Sequence, residues 1–144
     1  LLIIAHAPLA SALRSCVLHV FPEAAQAVAA YDVPASEAPE MSLAHAQRLA
    51  QALATPRLLV LTDVFGATPS NIALKLVDGL HARLVAGVNL PMLLRTVNYR
   101  EEELDVLVNR ALAGGTQCIM QVSVTAPQNQ IKKHHDSTHH DHHQ

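Results

Sequence analysis

The sequence predicts one α/β domain built around a doubly wound, mainly parallel sheet with helices on both faces. Short apolar runs without helical period alternate along the chain with segments whose apolar residues recur at helical spacing. This alternation is typical of parallel βαβ units. The 144 residues fit a single domain, and a hydrophobic fraction of 50% suffices for one core. We expect the domain to span residues 1–127 and residues 128–144 to form a disordered, polar, histidine-rich tail.

The first half of the chain predicts two strand–helix units. Residues 1–5 form a continuous apolar run, as in a strand that is buried on both faces. Pro8 suits the first turn of the following helix, and residues 26–33 form the second strand. Ser42 is placed to cap the second helix, which residues 55–56 end. The apolar helix faces are formed by Leu9, Leu13, Val17 and Val20, and by Leu43, Ala46, Leu49, Ala50 and Leu53.

The second half predicts two more strands and three helices. Residues 58–62 form the third strand and the clearest central one, and residues 82–88 form the fourth. Pro69 opens the helix between these strands and Gly79 ends it. The remaining predicted elements are helices at residues 91–98 and 101–113, a turn at residues 114–115, and a last strand at residues 118–124.

The composition excludes several kinds of partner. A formal net charge of -2 and an aromatic fraction of 3% leave neither a basic surface for nucleic-acid phosphates nor rings on which bases stack. No apolar run approaches the roughly 18 residues of a membrane span, so we expect no direct membrane insertion. Cys16 and Cys118 form no CxxC motif, which favours two reduced, buried thiols in a cytoplasmic protein.

Two polar residues stand at the carboxyl ends of predicted strands. His6 follows the first apolar run and Asp63 follows the third. In a flavodoxin-like strand order of 2-1-3-4 these two strands are neighbours, and ligands bind where the strand order reverses. Asp63 would then accept a hydrogen bond from one imidazole nitrogen of His6 and leave the other with a free lone pair. A structural histidine beside a capping aspartate is the alternative interpretation.

The surroundings of this pair favour an anionic group. Two predicted helices begin nearby, after Ala7 and around residues 68–69, and the amino ends of helices bind phosphoryl groups. His6 is therefore predicted to accept a phosphoryl group. No GxGxxG or GxxxxGK[ST] motif is present, and we expect no cofactor. The predicted phosphate-binding residues are Ala7, Phe65, Gly66, Ala67 and Thr68.

Three segments resemble a known family: IIAH near the amino terminus, LLVLTDVFGATPSN in the middle, and LVAGVNLPMLL around the fourth strand. In this order they resemble the IIA domain of the mannose family of the bacterial phosphotransferase system, over residues 1–124. The resemblance implies a phosphotransferase component: His6 accepts a phosphoryl group from the phosphohistidine of HPr and passes it to a IIB protein, and so to a sugar. It implies that Asp63 orients His6. It also implies a homodimer whose last strand, here residues 118–124, lies antiparallel at a sheet edge and is sometimes exchanged between subunits.

A few positions differ from the family pattern. Thr68 keeps the hydroxyl of the usual serine, whereas Ala7 and Ala67 stand where the family often has glycine. A methyl group at these two positions narrows the approach of the backbone to a phosphoryl group, so we expect an effect on the rate of transfer. The residues expected to face the partner protein are Phe65, Pro91 and Met92.

Three other functions stay open. The chain also resembles the phosphotransferase subunit that supplies dihydroxyacetone kinase, although the VFGATPSN turn favours the mannose family. A regulatory binding module would dock on an effector according to its phosphorylation state and move no sugar. A metal buffer would use the tail, although we expect adventitious metal binding there at most and no metal in the folded domain. The tail histidines are His134, His135, His139, His140, His142 and His143.

Overall fold

The computed structural model describes residues 1–125, which form a four-stranded parallel sheet with helices on both faces. The strands are β1 (Leu2–His6), β2 (Ala29–Val33), β3 (Leu58–Thr62) and β4 (Ala82–Ala86). The helices are α1 (Leu9–Val20), α2 (Pro39–Leu53), α3 (Thr68–Leu74), α4 (Leu90–Asn98) and α5 (Leu104–Gln117), with a short 3₁₀ turn at Pro22–Ala24. The strand order is β2-β1-β3-β4 and every pair is parallel. The predicted doubly wound fold is confirmed.

Each face of the sheet carries its own apolar cluster. Ile3 and Leu61 point to the face covered by α1, α4 and α5, and Ile4 and Val60 point to the face covered by α2 and α3. Successive residues of a strand face opposite sides, so a strand with both faces buried is apolar at nearly every position. This is why β1 and β3 appear in the sequence as continuous apolar runs. None of the helices within residues 1–125 is long and apolar enough to cross a membrane.

Several element boundaries differ from their predictions: β4 ends at Ala86 and not at residue 88, and α5 spans Leu104–Gln117 and not residues 101–113. Two further differences have a visible cause. β2 starts at Ala29 instead of residue 26, because Arg14 of α1 binds the preceding loop, with its guanidinium donating to the carbonyl groups of Val28 and Ala25 at 2.8 and 3.0 Å. The helix predicted to be capped by Ser42 begins earlier, at Pro39. Ser42 therefore lies inside α2, fully buried, and its hydroxyl donates to Glu37 at 2.5 Å.

The prediction of a turn at residues 114–115 is wrong, because Gly114 and Gly115 lie inside α5. A Cβ on Gly114 would lie 2.8 Å from the Cβ of Arg95, and one on Gly115 would lie 2.8 Å from the terminal methyl of Met92. The two glycines therefore allow α5 to approach α4 closely. Close helix packing and turns both select glycine, and the sequence does not distinguish the two uses.

The predicted last strand does not form in the described chain. Residues 119–125 have no regular structure and no strand partner. A strand needs a neighbour to pair its backbone groups, and β4 is the free edge on that side of the sheet. The large apolar side chains of this segment are exposed: Ile119, Met120, Val122 and Val124.

Both cysteines are free thiols, but the prediction that they are buried is wrong. Cys16 and Cys118 are each exposed. Cys16 lies on the outer side of α1 and Cys118 follows the last turn of α5. The histidine-rich tail, the end of the predicted domain at residue 127 and the six tail histidines lie outside the described residues.

Candidate functional site

The carboxyl edge of the sheet brings His6 and Asp63 together. Ile4 lies opposite Thr62, the last residue of β3, so Asp63 starts the following turn beside the end of β1. Oδ2 of Asp63 lies 2.6 Å from Nδ1 of His6. The same oxygen accepts the backbone N–H of His6 at 3.1 Å. The backbone and the ring of His6 are thus both fixed by one carboxylate oxygen.

Asp63 is ionised at neutral pH. Burial raises the pKa of its carboxyl group. Hydrogen bonds from the ring and backbone of His6 and from the backbone of Val64 together lower the pKa by more than burial raises it, so the pKa lies below the ordinary value of 3.8. The N–H of Val64 donates to Oδ1 at 2.9 Å. An ionised carboxylate only accepts hydrogen bonds. Nδ1 of His6 is therefore the protonated nitrogen of the neutral ring, and Nε2 carries the lone pair.

The reactive side of the imidazole faces outward. The His6 side chain is 53% exposed, whereas that of Asp63 is 13% exposed. No described residue forms a hydrogen bond with Nε2. A buried anchor and an exposed nucleophilic nitrogen suit attack on a group that another molecule presents at the surface.

A buried serine shapes the turn between β3 and α3. The hydroxyl of Ser70 accepts the N–H of Gly66 and donates to the carbonyl of Ala67, both at 2.8 Å. Gly66 has a φ of +93°, a left-handed conformation that residues with side chains rarely adopt. Ser70 was not predicted as a site residue from the sequence. The signal that could have identified it is a serine four residues after a turn glycine, a spacing at which the serine hydroxyl can bind the backbone of the turn.

Two of the predicted phosphate-binding N–H groups are already engaged. The N–H of Gly66 is bound by Ser70, and the N–H of Ala7 donates to the carbonyl of Val33 at 3.1 Å. The last pair of the β1–β2 ladder is His6 with Val33, and the bond from Ala7 to the Val33 carbonyl extends the parallel hydrogen-bond pattern from that pair. For the N–H groups of Ala7 and Gly66 the structure therefore corrects the prediction that they are free to bind an anion.

The remaining turn groups are free within the described residues. The N–H groups of Phe65, Ala67 and Thr68 form no hydrogen bond with a described residue, and Thr68 is exposed. These three N–H groups and the Thr68 hydroxyl stand in the turn that starts at Asp63. They are hydrogen-bond donors of this turn that have no partner among the described residues.

The three residues predicted to face a partner differ in exposure. Phe65 is 73% exposed, in the turn that follows Asp63. Pro91 is partly exposed in the first turn of α4. Met92 is only 3% exposed, so its prediction as a contact residue is wrong. Its side chain packs instead against α5, where Gly115 leaves room for the terminal methyl group.

A second carboxylate near this edge was also missed. Asp32 of β2 accepts the N–H of Ser11 at 2.9 Å and the hydroxyl of Ser11 at 2.5 Å. The two residues are 21 positions apart, so no local motif reveals the contact. Within residues 1–125, no group of three or more His, Cys, Asp or Glu side chains is arranged to hold a metal ion.

The fold and the site define a class of protein: a doubly wound α/β domain that presents an aspartate-oriented histidine where its strand order reverses. The chain belongs to the EIIA-man family, since the family model described as the PTS system fructose IIA component matches residues 1–112. The resemblance drawn from the sequence is thereby confirmed.

Individual proteins agree with this assignment. The chain is 34% identical over 88 residues to the PTS system mannose-specific EIIAB component of Escherichia coli K12; the match covers 59% of this chain and 27% of that protein. The structure is similar to phosphotransferase system component EIIA from Streptococcus agalactiae, with a TM-score of 0.72 and 25% identity over 83% of this chain and 94% of that one. The mannose/sorbose-specific IIA subunit from Enterococcus faecalis gives a TM-score of 0.75 at 24% identity, over 87% and 95% of the two chains.

Proposed function

We propose that this domain is a phosphocarrier: His6 accepts a phosphoryl group from phospho-HPr through Nε2 and passes it to a IIB protein during sugar uptake. The observation that carries the proposal is the His6–Asp63 pair, in which Asp63 binds Nδ1 at 2.6 Å and Nε2 faces outward. Membership of the EIIA-man family supports it. HPr and the domain would meet in the cytoplasm.

The proposed transfer is an in-line displacement at phosphorus. The lone pair of Nε2 forms the new P–N bond while the P–N bond to the HPr histidine breaks, and the electrons of that bond return to the HPr imidazole. The His6 ring gains positive charge as the bond forms, and the ionised carboxylate of Asp63 stabilises that charge through Nδ1–H. Asp63 keeps its own charge throughout. Transfer to the acceptor reverses these steps.

The turn after β3 is the proposed binding segment for the phosphoryl oxygens. The N–H groups of Phe65, Ala67 and Thr68, which form no hydrogen bond with a described residue, and the exposed Thr68 hydroxyl supply the hydrogen-bond donors. The hydroxyl bridge of Ser70 holds this turn in place from the buried side. Donors fixed before the reaction need no reorganisation when the charge arrives.

The proposed partner surface surrounds His6. Phe65 is a large, exposed aromatic residue two positions after Asp63, and Val64 next to it is also exposed. Aromatic residues with exposed rings are common anchors of protein interfaces. We place the docking of HPr and of the IIB acceptor on this surface, since both must reach the same nitrogen.

A homodimer is proposed on separate evidence. The exposed apolar residues between positions 119 and 124 follow α5, and among the described residues no strand pairs with the outer edge of β4. Pairing of this segment with the sheet of a second copy would bury its side chains and satisfy both backbones. Sedimentation equilibrium should give twice the chain mass. Replacement of Val122 and Val124 by Asp should give a monomer; a monomeric native protein would contradict the proposal.

The test of the carrier function is intact mass after incubation with phosphoenolpyruvate, enzyme I and HPr. The native chain should gain one acid-labile phosphate, whereas His6→Ala should gain none. His81→Ala is the matched control, since His81 is also exposed beside a carboxylate, that of Asp78, but lies before β4 at the opposite edge of the sheet. It should gain phosphate normally. Absence of phosphate on the native chain, with phospho-HPr present, would contradict the proposal.

The acceptor is tested with the phosphorylated protein. Incubation with a mannose-family IIB protein should move the phosphate to that protein. A stable phosphate that no IIB protein removes would favour the regulatory module, and transfer to the dihydroxyacetone kinase partner would favour that alternative.

A further inference from the structure

The amino end of α1 is capped from a neighbouring strand. Pro8 precedes the helix and makes no side-chain cap. Instead, the carboxylate of Asp32 on β2 accepts the backbone N–H of Ser11 through Oδ1, at 2.9 Å, and the Ser11 hydroxyl through Oδ2, at 2.5 Å. Asp32 therefore does from a distance what a capping residue normally does locally.

This cap lies at the start of the helix that follows His6. α1 begins three residues after His6, and in the β1–β2 ladder Asp32 pairs with Ala5, one position before the histidine. Asp32 faces the α1 side of the sheet, since its ladder partner Ala5 belongs to the apolar cluster beneath α1. Asp63 contacts the ring of His6 directly, so the carboxylate of Asp32 is a second negative charge at the carboxyl edge of the sheet, at the start of the helix that follows His6.

No cation offsets these carboxylates among residues 1–125. None of the described arginine or lysine side chains forms a hydrogen bond or ion pair with His6, Asp32 or Asp63. Arg14, on the same helix as Ser11, is bound to the carbonyl groups of Val28 and Ala25. A phosphoryl group on His6 would carry a charge of about -1.5 to -2 at pH 7 and would meet uncompensated negative charge.

We propose that Asp32 is a positioning residue that caps the amino end of α1 and so prevents this helix end from binding the phosphoryl group on His6. Asp32 thereby keeps the phosphorylated form of His6 less stable and favours transfer of the phosphoryl group to the acceptor. The free amino end of a helix attracts anions. With Asp32 in place, one N–H of this end is bound and its partial positive charge is neutralised. The inference rests on the proposed carrier function, since it concerns the phosphorylated state of His6.

Three variants separate the charge of Asp32 from its hydrogen bonds. Asp32→Asn removes the charge and keeps one acceptor oxygen. Ser11→Ala removes the hydroxyl donor and keeps the charge. Asp78→Asn is the matched control, because Asp78 also binds backbone N–H groups, those of Leu80, His81 and Ala82, but lies before β4 at the opposite edge of the sheet. Circular dichroism checks that all three are folded.

The first measurement is the equilibrium of phosphoryl exchange with phospho-HPr. Asp32→Asn should shift it about three- to fivefold toward the phosphorylated chain at low salt, because one repulsive charge is gone. The shift should shrink in 0.5 M salt, where the screening length falls to roughly 4–5 Å. Ser11→Ala and Asp78→Asn should leave the equilibrium within error of the native value. An equal shift in Asp32→Asn and Asp78→Asn would overturn the inference.

The second measurement does not depend on a protein donor. Phosphoramidate, a small reagent that phosphorylates accessible imidazoles, charges His6 directly, and tryptic cleavage after Arg14 isolates a peptide whose sole histidine is His6. Phosphate on this peptide should persist severalfold longer in Asp32→Asn than in the native chain or in Asp78→Asn. Equal lifetimes overturn the inference. Charging by phosphoramidate but not by phospho-HPr contradicts the carrier function alone, and failure of both reagents at His6 contradicts both proposals.

Discussion

Replacement of Asp63 by asparagine should slow phosphorylation of His6 by a factor of about 10²–10⁴, the range for loss of an orienting or acid–base partner. Both oxygens of the carboxylate face N–H donors: Oδ2 binds the ring and backbone of His6, and Oδ1 binds Val64. An asparagine has one oxygen, so its NH₂ group must face at least one of these donors. The existing arrangement cannot be kept.

The magnitude follows from the bonds that are lost. A hydrogen bond to a charged group contributes about 1.5–3 kcal/mol, and the variant also loses the negative charge that stabilises the ring during transfer. A tenfold change in rate corresponds to about 1.36 kcal/mol, so the expected factor amounts to about 2.7–5.4 kcal/mol. The lower limit is close to one charge-assisted bond, and the upper limit adds the lost charge and the free rotation of the ring.

The assay is the rate of phosphate gain from phospho-HPr under single-turnover conditions, followed by mass. Asp78→Asn is the control, because it removes an equally charged aspartate that binds backbone N–H groups far from His6. It should react at the native rate. A rate for Asp63→Asn within about threefold of this control would refute the assigned role of Asp63.

Three further outcomes are expected. Gly114→Ala should lower the free energy of unfolding in urea by about 1–3 kcal/mol, because its Cβ would lie 2.8 Å from the Cβ of Arg95. In Gly115→Ala the new Cβ meets the flexible end of the Met92 side chain, so its free energy of unfolding should stay within about 1 kcal/mol of the native value. Equal losses in the two variants would contradict this packing. The pKa of Asp63 is lowered in the folded state, so its contribution to stability is present above about pH 4 and is lost as the pH falls through the folded pKa. The difference in Tm between the native protein and Asp63→Asn should therefore shrink toward pH 2. A Tm difference that does not change with pH would contradict the stabilising contact between His6 and ionised Asp63. Phe65→Ser should raise the KM for phospho-HPr about tenfold with little change in kcat or Tm. Leu80 is an exposed apolar residue that precedes β4, and Leu80→Ser should leave the KM unchanged. Equal KM values in the two variants would show that Phe65 is not part of the docking surface.

The parts of the fold that depend on the pattern of apolar residues could be predicted from the sequence. β1 and β3 are buried on both faces, and a run that is apolar at every position indicates this burial directly. The parallel strand order followed from the alternation of elements, and the placement of His6 and Asp63 followed from the strand order. These steps need no knowledge of individual side-chain contacts.

The errors concern residues whose role depends on a contact distant in sequence. Gly114 and Gly115 serve helix packing, which is visible only once α4 is placed beside α5. Met92 follows a proline that is partly exposed, yet it turns inward to fill the space that Gly115 leaves. Asp32 reaches Ser11 across 21 positions. No local pattern contains this information.

The failure of the last strand has a different cause. Residues 118–124 have the apolar content of a strand, but a strand needs an edge to pair with, and nothing in the described chain folds this segment onto β4. Sequence patterns report the tendency of a segment and not the availability of its partner. The exposed apolar side chains left by this failure are the basis of the proposed dimer.

The most direct test of the central claim is the position of the phosphate on the imidazole ring of His6. Because Asp63 holds Nδ1 at 2.6 Å, the phosphate must be on Nε2. Heteronuclear NMR of the protein labelled with ¹⁵N-histidine and phosphorylated by phospho-HPr distinguishes the two ring positions through their ³¹P–¹⁵N coupling. Phosphate on Nε2 of His6 is the predicted result. Phosphate on Nδ1, or on another residue, would contradict the account.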